Sequence, residues 1–159
     1  EEAGLLGSEH LTAIPPVARD SIVAQLNMDM LGRNAPDSLF LIGSSRISSQ
    51  LDQIVRREAG AVGLHLDYSL DAPNHPERLY ERSDHYMYAR YGIPVAFFFA
   101  GLHPDYHQPS AEVERIDFGK VERVAELVYR VAWDLANRPE PPARHGSPRD
   151  GARLAPGPG

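Results

Sequence analysis

Acidic and imidazole side chains occur at three separated points of the sequence, where they could bind a metal ion. His103 and His107 belong to the run Gly-Leu-His-Pro-Asp-Tyr-His, which directly follows an apolar segment. Asp29 lies near the end of another apolar segment, and Glu1 and Glu2 stand together at the start of the chain. Imidazole and carboxylate groups are zinc ligands. Zinc lowers the pKa of a bound water towards about 7, and a carboxylate beside the metal can accept that water's proton. The pattern therefore indicates metal-dependent hydrolysis.

The composition narrows the classes of function. The 159 residues, 42% of them hydrophobic, suffice for one domain with a buried core. The net charge of -6 and the lack of a Lys/Arg cluster argue against a nucleic-acid surface. With no cysteine, the chain has no disulfide, no thiolate nucleophile and no Cys-ligated zinc, so His and carboxylates must hold any metal. No apolar run approaches the roughly 20 residues of a membrane helix.

The hydrophobic pattern predicts strands and helices that would position these groups. Apolar residues alternate between Ile22 and Met30, which is the period of a strand, and Asp29 falls at its C-terminal end. The continuous apolar run Val95–Phe99 predicts a central strand that is covered on both faces. The other predicted elements are a short helix capped by Gly7-Ser8, a strand at 39–42, a helix from Ser45 to Gly60, a strand at 64–68, a polar loop at 71–82, a helix capped by Ser83 that ends near Tyr91, and a helix capped by Asp117.

Strands that alternate with helices predict an α/β fold, a three-layer αβα sandwich with a mostly parallel mixed sheet. Ligands of such sheets bind beyond the carboxyl ends of the strands, where Asp29 and the 103–107 segment are expected. The chain begins with Glu1 at a predicted strand-to-helix junction, so we expect the fold to be truncated at its N-terminus. Residues 138–159 are rich in proline and glycine and are predicted to be a disordered tail.

Four segments, in this order, resemble the zinc exopeptidases of metallopeptidase clan MH, which include bacterial leucyl aminopeptidases, glutamate carboxypeptidase and glutaminyl cyclase. Each motif is weak alone, but four in the right order make a chance resemblance improbable. The resemblance covers residues 1–137 and implies the C-terminal part of a zinc exopeptidase catalytic domain. The four segments are EEAGLLGS at 1–8, LNMDMLG at 26–32, RSDHYMYARYGIP at 82–94 and GLHPDYH at 101–107.

The resemblance implies a role for each of the five central residues. Glu1 would be the general base, and Glu2 and His107 would hold one zinc ion. Asp29 would hold a second zinc ion, and Tyr106 would stabilise the oxyanion of the tetrahedral intermediate. The implied activity is metalloaminopeptidase cleavage, in which water activated by two zinc ions attacks the first peptide bond of a peptide or protein N-terminus.

Four further residues are expected beside this centre. Ser83, Asp84 and His85 match a family segment that borders the site, where the resemblance implies contacts to ligands or substrate rather than ligation. His103 is expected near the pocket without coordinating the metal. His65 belongs to a His-x-Asp element, but it follows the Glu-Glu pair within a predicted strand, and we interpret it as a surface residue.

The chain also departs from the family pattern. The family's earlier histidine ligand and the aspartate that bridges both zinc ions precede the Glu-Glu pair, at which this chain starts. We therefore expect the isolated chain to bind metal weakly and to have little or no activity. Two alternatives stay open: a one-zinc cyclotransferase like glutaminyl cyclase, and a non-catalytic relative that has lost ligands. The resemblance favours a secreted or periplasmic location, and the sequence does not define the oligomeric state.

Overall fold

Four strands form the central sheet in a computed structural model that describes residues 3–145. They are β1 (Gln25–Asp29), β2 (Ser38–Ile42), β3 (His65–Asp67) and β4 (Val95–Phe99). The order across the sheet is β1-β4-β2-β3. β1 pairs in parallel with β4, β2 pairs in parallel with β3, and β2 and β4 are antiparallel. The sheet is therefore mixed and mostly parallel, and every residue of β4 is buried, as its apolar run predicts.

Five α-helices accompany the sheet, and none in residues 3–145 is long and apolar enough to cross a membrane. The predicted helix 45–60 is instead two helices, because Ser48 leaves the helical conformation and its hydroxyl accepts the N–H of Leu51 at 3.2 Å. The described residues also form short 3-10 helices at Arg19–Ser21, Ser69–Asp71, Leu79–Glu81 and Val113–Arg115. The helices are α1 (Leu6–Ala13), α2 (Ser44–Ile47), α3 (Ser49–Ala61), α4 (His85–Ala89) and α5 (Phe118–Asn137).

The three predictions about helix caps have different outcomes. The prediction that Gly7-Ser8 caps the first helix is wrong, because both residues lie within α1, which begins at Leu6. Asp117 caps α5, because its carboxylate accepts the N–H of Lys120 at 2.9 Å. The prediction that Ser83 caps helix α4 is wrong. Helix α4 begins at His85, after Asp84, and has no side-chain cap. The Ser83 hydroxyl instead accepts a hydrogen bond from a different part of the chain.

The sheet has two differently covered faces, which follow from the alternation of side chains along β4. Ala96 and Phe98 belong to a large core together with α3 and α5, and we call this side the helix-covered face. Phe97 and Phe99 pack with Leu79 and Ile42 in a smaller cluster. The short helix α4 and the irregular segment 68–82 lie on this second side, which we call the loop-covered face. The three layers of the predicted αβα sandwich are thus confirmed.

The chain after α5 runs back along the start of α3. Ala143 donates its N–H to the side chain of Gln50 at 2.8 Å, and Arg144 donates to the carbonyl of Ile22 at 3.0 Å. Ser49 donates its N–H to His145 at 3.0 Å. These contacts belong to 138–145, the described part of the predicted tail, and residues 146–159 lie outside the described residues.

The mixed topology brings three strand ends to one edge of the sheet. Asp29 is in register with Phe99, so β1 and β4 end side by side, and the antiparallel β2 begins at the same edge. The loop 30–37 must therefore pass over the end of β4. Asn34 fixes this crossing, because its amide donates to the carbonyl of Ala100 at 2.8 Å. Gly101 has a φ of 96°, and a Cβ there would lie 3.0 Å from the Asn34 amide nitrogen, so a larger residue would not fit.

Candidate active site

A small cleft at this edge of the sheet contains three of the predicted site residues. Asp29 and Tyr106 both line it, and Ser83 lies at its wall. We call this depression the site cleft. Apolar side chains and one arginine make up the rest of its lining: Met30, Leu79, Arg82, Phe97, Phe99 and Leu102.

Asp29 reaches the site cleft because β1 ends there. The next residue, Met30, adopts a left-handed backbone with a φ of 53°, which turns the chain away from the strand direction. Two positions before Asp29, the amide of Asn27 donates to the hydroxyl of Ser83 at 2.9 Å. This hydrogen bond joins β1 to the segment that leads into α4, and it explains why Ser83 is buried although it caps no helix.

Tyr106 and His107 lie on a tight turn after β4. The N–H of Tyr106 donates to the carbonyl of His103 at 2.9 Å, and the N–H of Gln108 donates to the carbonyl of Asp105 at 3.0 Å. His107 itself has a left-handed backbone, with a φ of 54°. The rings of Tyr106 and His107 stack with centroids 4.0 Å apart, so these two neighbouring side chains occupy the same side of the turn. His107 is exposed, and Tyr106 is half-buried in the site cleft.

Asp105 holds that turn in place through hydrogen bonds to its carboxylate. Only 5% of this residue is exposed, and its carboxylate accepts hydrogen bonds from Arg33, from Ser110 at 2.7 Å and from Arg115 at 3.0 and 3.1 Å. The hydrogen bond from Arg33, followed by that from Ser110, lowers the pKa of Asp105 to about 2. Asp105 therefore stays ionised and holds the turn by its charge.

His85 lies behind the wall of the site cleft. It is fully buried, its ring stacks on Phe97 with centroids 4.6 Å apart, and Tyr80 meets it edge-on at 5.6 Å. Within residues 3–145, neither ring nitrogen has a partner at good hydrogen-bond geometry. Burial lowers the pKa of His85 to about 4, so the ring is neutral at pH 7. Phe97 lines the site cleft, whereas His85 does not. Asp84, the residue before His85, is half-buried.

His103 and His65 occupy different surroundings. Burial, followed by the charge of Arg33, lowers the pKa of His103, whose Nδ1 is buried without a hydrogen-bond partner. His103 does not line the site cleft. His65 is exposed on β3, the strand at the opposite side of the sheet from β1. The carboxylate of Asp67 there accepts the N–H of Ser69 at 2.7 Å, which agrees with a surface turn rather than a ligand.

Two of the described residues have the chemistry of metal ligands. Glu1 and Glu2 lie outside them, and within residues 3–145 no group of three or more acidic or imidazole side chains converges to hold a metal ion. Asp29 and His107 are nevertheless a carboxylate and an imidazole beyond the ends of two adjacent parallel strands. Oxygen and nitrogen donors of these types suit zinc, so the residues present fit part of a zinc shell.

The sequence analysis did not identify several residues at the site. Arg33 and Arg82 carry charge into the region, and Leu79 and Leu102 form part of the cleft wall. Arg82 and Leu102 belong to two of the segments that carry the family resemblance, which is the one signal that could have identified them. Arg33 pairs with a residue 72 positions away, and no local pattern marks such a pair.

Comparison with known proteins decides the family. The model for Peptidase family M28 matches residues 1–132, which is most of the chain. The chain belongs to Peptidase family M28. This M28 chain is also 28% identical over 141 residues to proteins named probable leucine aminopeptidase from Arthroderma otae and Trichophyton verrucosum. The match covers 86% of this chain and 37% of each relative, so the chain spans little more than a third of their length.

Solved structures of aminopeptidases share the fold. The aminopeptidase from Aneurinibacillus sp. strain AM-1 has a TM-score of 0.64 at 22% identity and covers 91% of this M28 chain, which spans 32% of that protein. BSAP, a zinc aminopeptidase from Bacillus subtilis, has a TM-score of 0.63 at 22% identity, with coverage of 84% and 33%. The LapA aminopeptidase of Legionella pneumophila gives 0.66 at 20% identity, with coverage of 87% and 38%. These similarities confirm the predicted fold class.

Proposed function

We propose that this M28 chain is part of a zinc-dependent aminopeptidase that removes N-terminal residues from peptides. The observation that carries the proposal is the position of three side chains. Asp29 and Tyr106 line one cleft, and His107 lies directly beside Tyr106 on the same turn. Family membership supports peptide hydrolysis, and the relatives named as leucine aminopeptidases and as a zinc aminopeptidase support both the N-terminal cleavage and the metal.

The proposal gives each donor residue one task. Asp29 would hold one zinc ion, and Glu2 and His107 would hold a second. When bound, zinc supplies a Lewis acid that polarises the peptide carbonyl and makes water more acidic. Glu1 accepts a proton from the attacking water as the new C–O bond forms. The C–N bond of the first peptide link then breaks, and Glu1 returns the proton to the departing amine.

Tyr106 and the cleft wall would act on the substrate. The half-buried Tyr106 is placed to donate a hydrogen bond to the oxyanion that develops on the attacked carbonyl. Phe97, Phe99 and Leu102 make the wall of the site cleft apolar. We infer that the first residue of the substrate has an apolar side chain, because burying that side chain against these rings removes apolar surface from water.

Two substitutions in the complete protein test the proposal. Glu1→Gln removes the base but keeps the size of the side chain, so turnover should fall at least about 100-fold while zinc content stays unchanged. His107→Ala removes a ligand, so zinc content should fall. Unchanged turnover in the first variant, or full zinc content in the second, would contradict the assigned roles. His65→Ala, at the far side of the sheet, is the matched control and should change neither quantity.

The choice of substrate separates the proposed reaction from cyclisation. Leucyl and glutaminyl peptides should be offered to the same preparation, with release of the free amino acid measured for the first and formation of pyroglutamate for the second. Release of leucine without formation of pyroglutamate supports the aminopeptidase. The reverse result would indicate a cyclotransferase. A preparation that binds zinc and converts neither peptide would contradict both.

A further inference from the structure

A partly buried ion pair joins the loops that carry Asp29 and His107. The guanidinium of Arg33, four residues after Asp29, donates to the carboxylate of Asp105, two residues before His107. Only 17% of the Arg33 side chain and 7% of the Asp105 side chain are exposed. Asn34 adds hydrogen bonds from its amide to the backbone carbonyls of Ala100 at 2.8 Å and Leu102 at 3.2 Å.

We propose that Asp105 is a positioning residue for the zinc centre, because its pairing with Arg33 fixes the separation of the loops that present Asp29 and His107. This inference rests on the proposed function, in which those two side chains hold zinc. Asp105 touches neither metal nor substrate in this scheme. Asp105 fixes the positions of Asp29 and His107 in the metal-free protein.

The Arg33 side of the pair is itself rigidly held. Lys120 is fully buried, and its ammonium donates to the carbonyls of Arg33 at 2.7 Å and Ala35 at 2.8 Å. The N–H of Asp117 donates to the carbonyl of Gly32 at 2.8 Å. A Cβ at Gly32 would lie 2.6 Å from the side chain of Ile116, so this loop packs tightly against the chain that leads into α5. Arg33 is therefore a fixed point to which Asp105 can be anchored.

The Asp105 side of the pair is held by its own loop. Ser110 and Arg115, which follow the His107 turn, both donate to the same carboxylate. The Asp105 carboxylate thus accepts hydrogen bonds from both loops, from Arg33 in one and from Ser110 and Arg115 in the other. A neutral side chain at this position would lose the charge that attracts two guanidinium groups, and the hydrogen bonds of Asn34 would then hold the two loops with less support.

The backbone beside the ligands gives a reason for such an anchor. Met30 follows Asp29 and has a φ of 53°, and His107 has a φ of 54°. Left-handed backbone at residues with side chains is unfavourable and persists where the surroundings enforce it. Arg33 follows Met30 by three residues, and Asp105 precedes His107 by two. Removal of the pair should let the turns relax, and a displacement of about 1 Å at a site can lower activity about 100-fold.

The test compares Asp105 with a buried aspartate of matched surroundings in the complete protein. Asp52 is 7% exposed and accepts hydrogen bonds from Ser44 at 2.6 Å, Arg56 at 2.6 Å and Tyr68 at 2.9 Å. It belongs to α3, on the helix-covered face. Asp105→Asn and Asp52→Asn should lower the melting temperature to a similar extent. Zinc affinity, measured by competition with a chromophoric chelator, should fall about 10- to 100-fold in Asp105→Asn alone.

Kinetics and a conservative variant separate positioning from stability. Asp105→Asn should lower kcat and leave KM within about threefold, because substrate contacts stay in place. Arg33→Met should reproduce the loss of zinc affinity, and Arg33→Lys should recover part of it because the charge is retained. If Asp105→Asn does not fold, the Arg33 pair of variants carries the test. Equal zinc affinity in Asp105→Asn and Asp52→Asn, or in Arg33→Met and the unchanged protein, would overturn the inference.

The His107→Ala variant distinguishes this failure from failure of the proposed function. Loss of zinc in His107→Ala with unchanged zinc affinity in Asp105→Asn would reject the positioning role alone. Retention of zinc in His107→Ala would reject His107 as a ligand, and the inference about Asp105 would fall with it.

Discussion

The two faces of the sheet are built differently. On the helix-covered face, Phe98 is fully buried in a large cluster to which α3 and α5 contribute. On the loop-covered face, Phe97 and Phe99 belong to a small cluster, and its neighbours Met30 and Phe40 are only half-buried. Long helices supply continuous apolar stripes, whereas the irregular segment 68–82 cannot. The comparison indicates that one face provides most of the stability and the other provides the site.

A surface pocket of about 300 Å³ opens on the loop-covered face. It lies beside the site cleft, with Leu79 and Leu102 lining both. Phe40 and Leu70 complete its apolar wall. The difference between the faces can be measured by four perturbations.

The largest effect is expected from truncation of the central aromatic residue on the helix-covered face. Phe98→Ala should lower the free energy of unfolding by about 3–5 kcal/mol, because it leaves a cavity between rigid helices. Phe99→Ala should cost less, because Phe99 borders the site cleft, and it should also lower kcat/KM. Urea denaturation and peptidase assays check both. An equal cost at the two positions would contradict the difference in packing.

A pH-dependent effect of up to about 3 kcal/mol is expected from His85. Its pKa is about 4 in the folded protein and about 6.5 in the unfolded chain. Between these two pH values, a proton binds to His85 in the unfolded chain but not in the folded protein. The folded protein therefore loses stability as the pH falls from 6.5 towards 4, and this loss is absent above pH 6.5. Replacement by leucine removes that loss.

The measurement compares unfolding of the metal-free protein with that of the His85→Leu variant at several pH values. The stability of the unchanged protein relative to the variant should decrease by up to about 3 kcal/mol from pH 6.5 to pH 4. A constant difference across this range would show that His85 is hydrated or hydrogen-bonded in solution.

A smaller effect is expected at the join between β1 and α4. Asn27→Ala and Ser83→Ala each remove one partner of the 2.9 Å hydrogen bond, and a double-mutant cycle should give a coupling energy of about 1 kcal/mol. The same bond fixes one wall of the site cleft, so both single variants should lower kcat/KM. Strictly additive costs in unfolding experiments would mean that the two side chains do not interact in solution.

The smallest effect is expected on the outer surface of α5. Tyr129 and Trp133 are 63% and 61% exposed, with ring centroids 6.1 Å apart. Tyr129→Ser and Trp133→Ser should change the free energy of unfolding by less than about 0.5 kcal/mol, because little of either ring leaves water on folding. A loss above 1 kcal/mol by thermal denaturation would show that this surface is covered in the complete protein.

The sequence identified those parts of the fold that local patterns encode. The apolar run Val95–Phe99 and the cap at Asp117 were both predicted, because burial on two faces and a free helix N-terminus each leave a local signature. The pairing of Ser83 with Asn27 was not, since it joins residues 56 positions apart. The helix break at Ser48 was missed although its cap to Leu51 is local, because the apolar spacing on both sides of Ser48 fits one continuous helix. The roles of Glu1 and Glu2 stay predictions.

The candidate site shows the same division. Asp29 at a strand end follows from alternation, and the turn at 103–107 follows from the end of the apolar run. The position of His85 behind Phe97 depends on how α4 packs against β4, which no spacing along the chain indicates. The pair of Arg33 and Asp105 is likewise a product of topology.

The strand order also determines when the site can form during folding. β4 lies between β1 and β2, although both precede it in the chain. The two earlier strands therefore cannot complete the sheet until the later strand inserts between them, and the Arg33–Asp105 contact, 72 positions apart, can form only after that insertion. Contacts made after the folding transition state act on the unfolding rate. We therefore expect the Arg33–Asp105 ion pair to affect the lifetime of the assembled site more than the speed of folding.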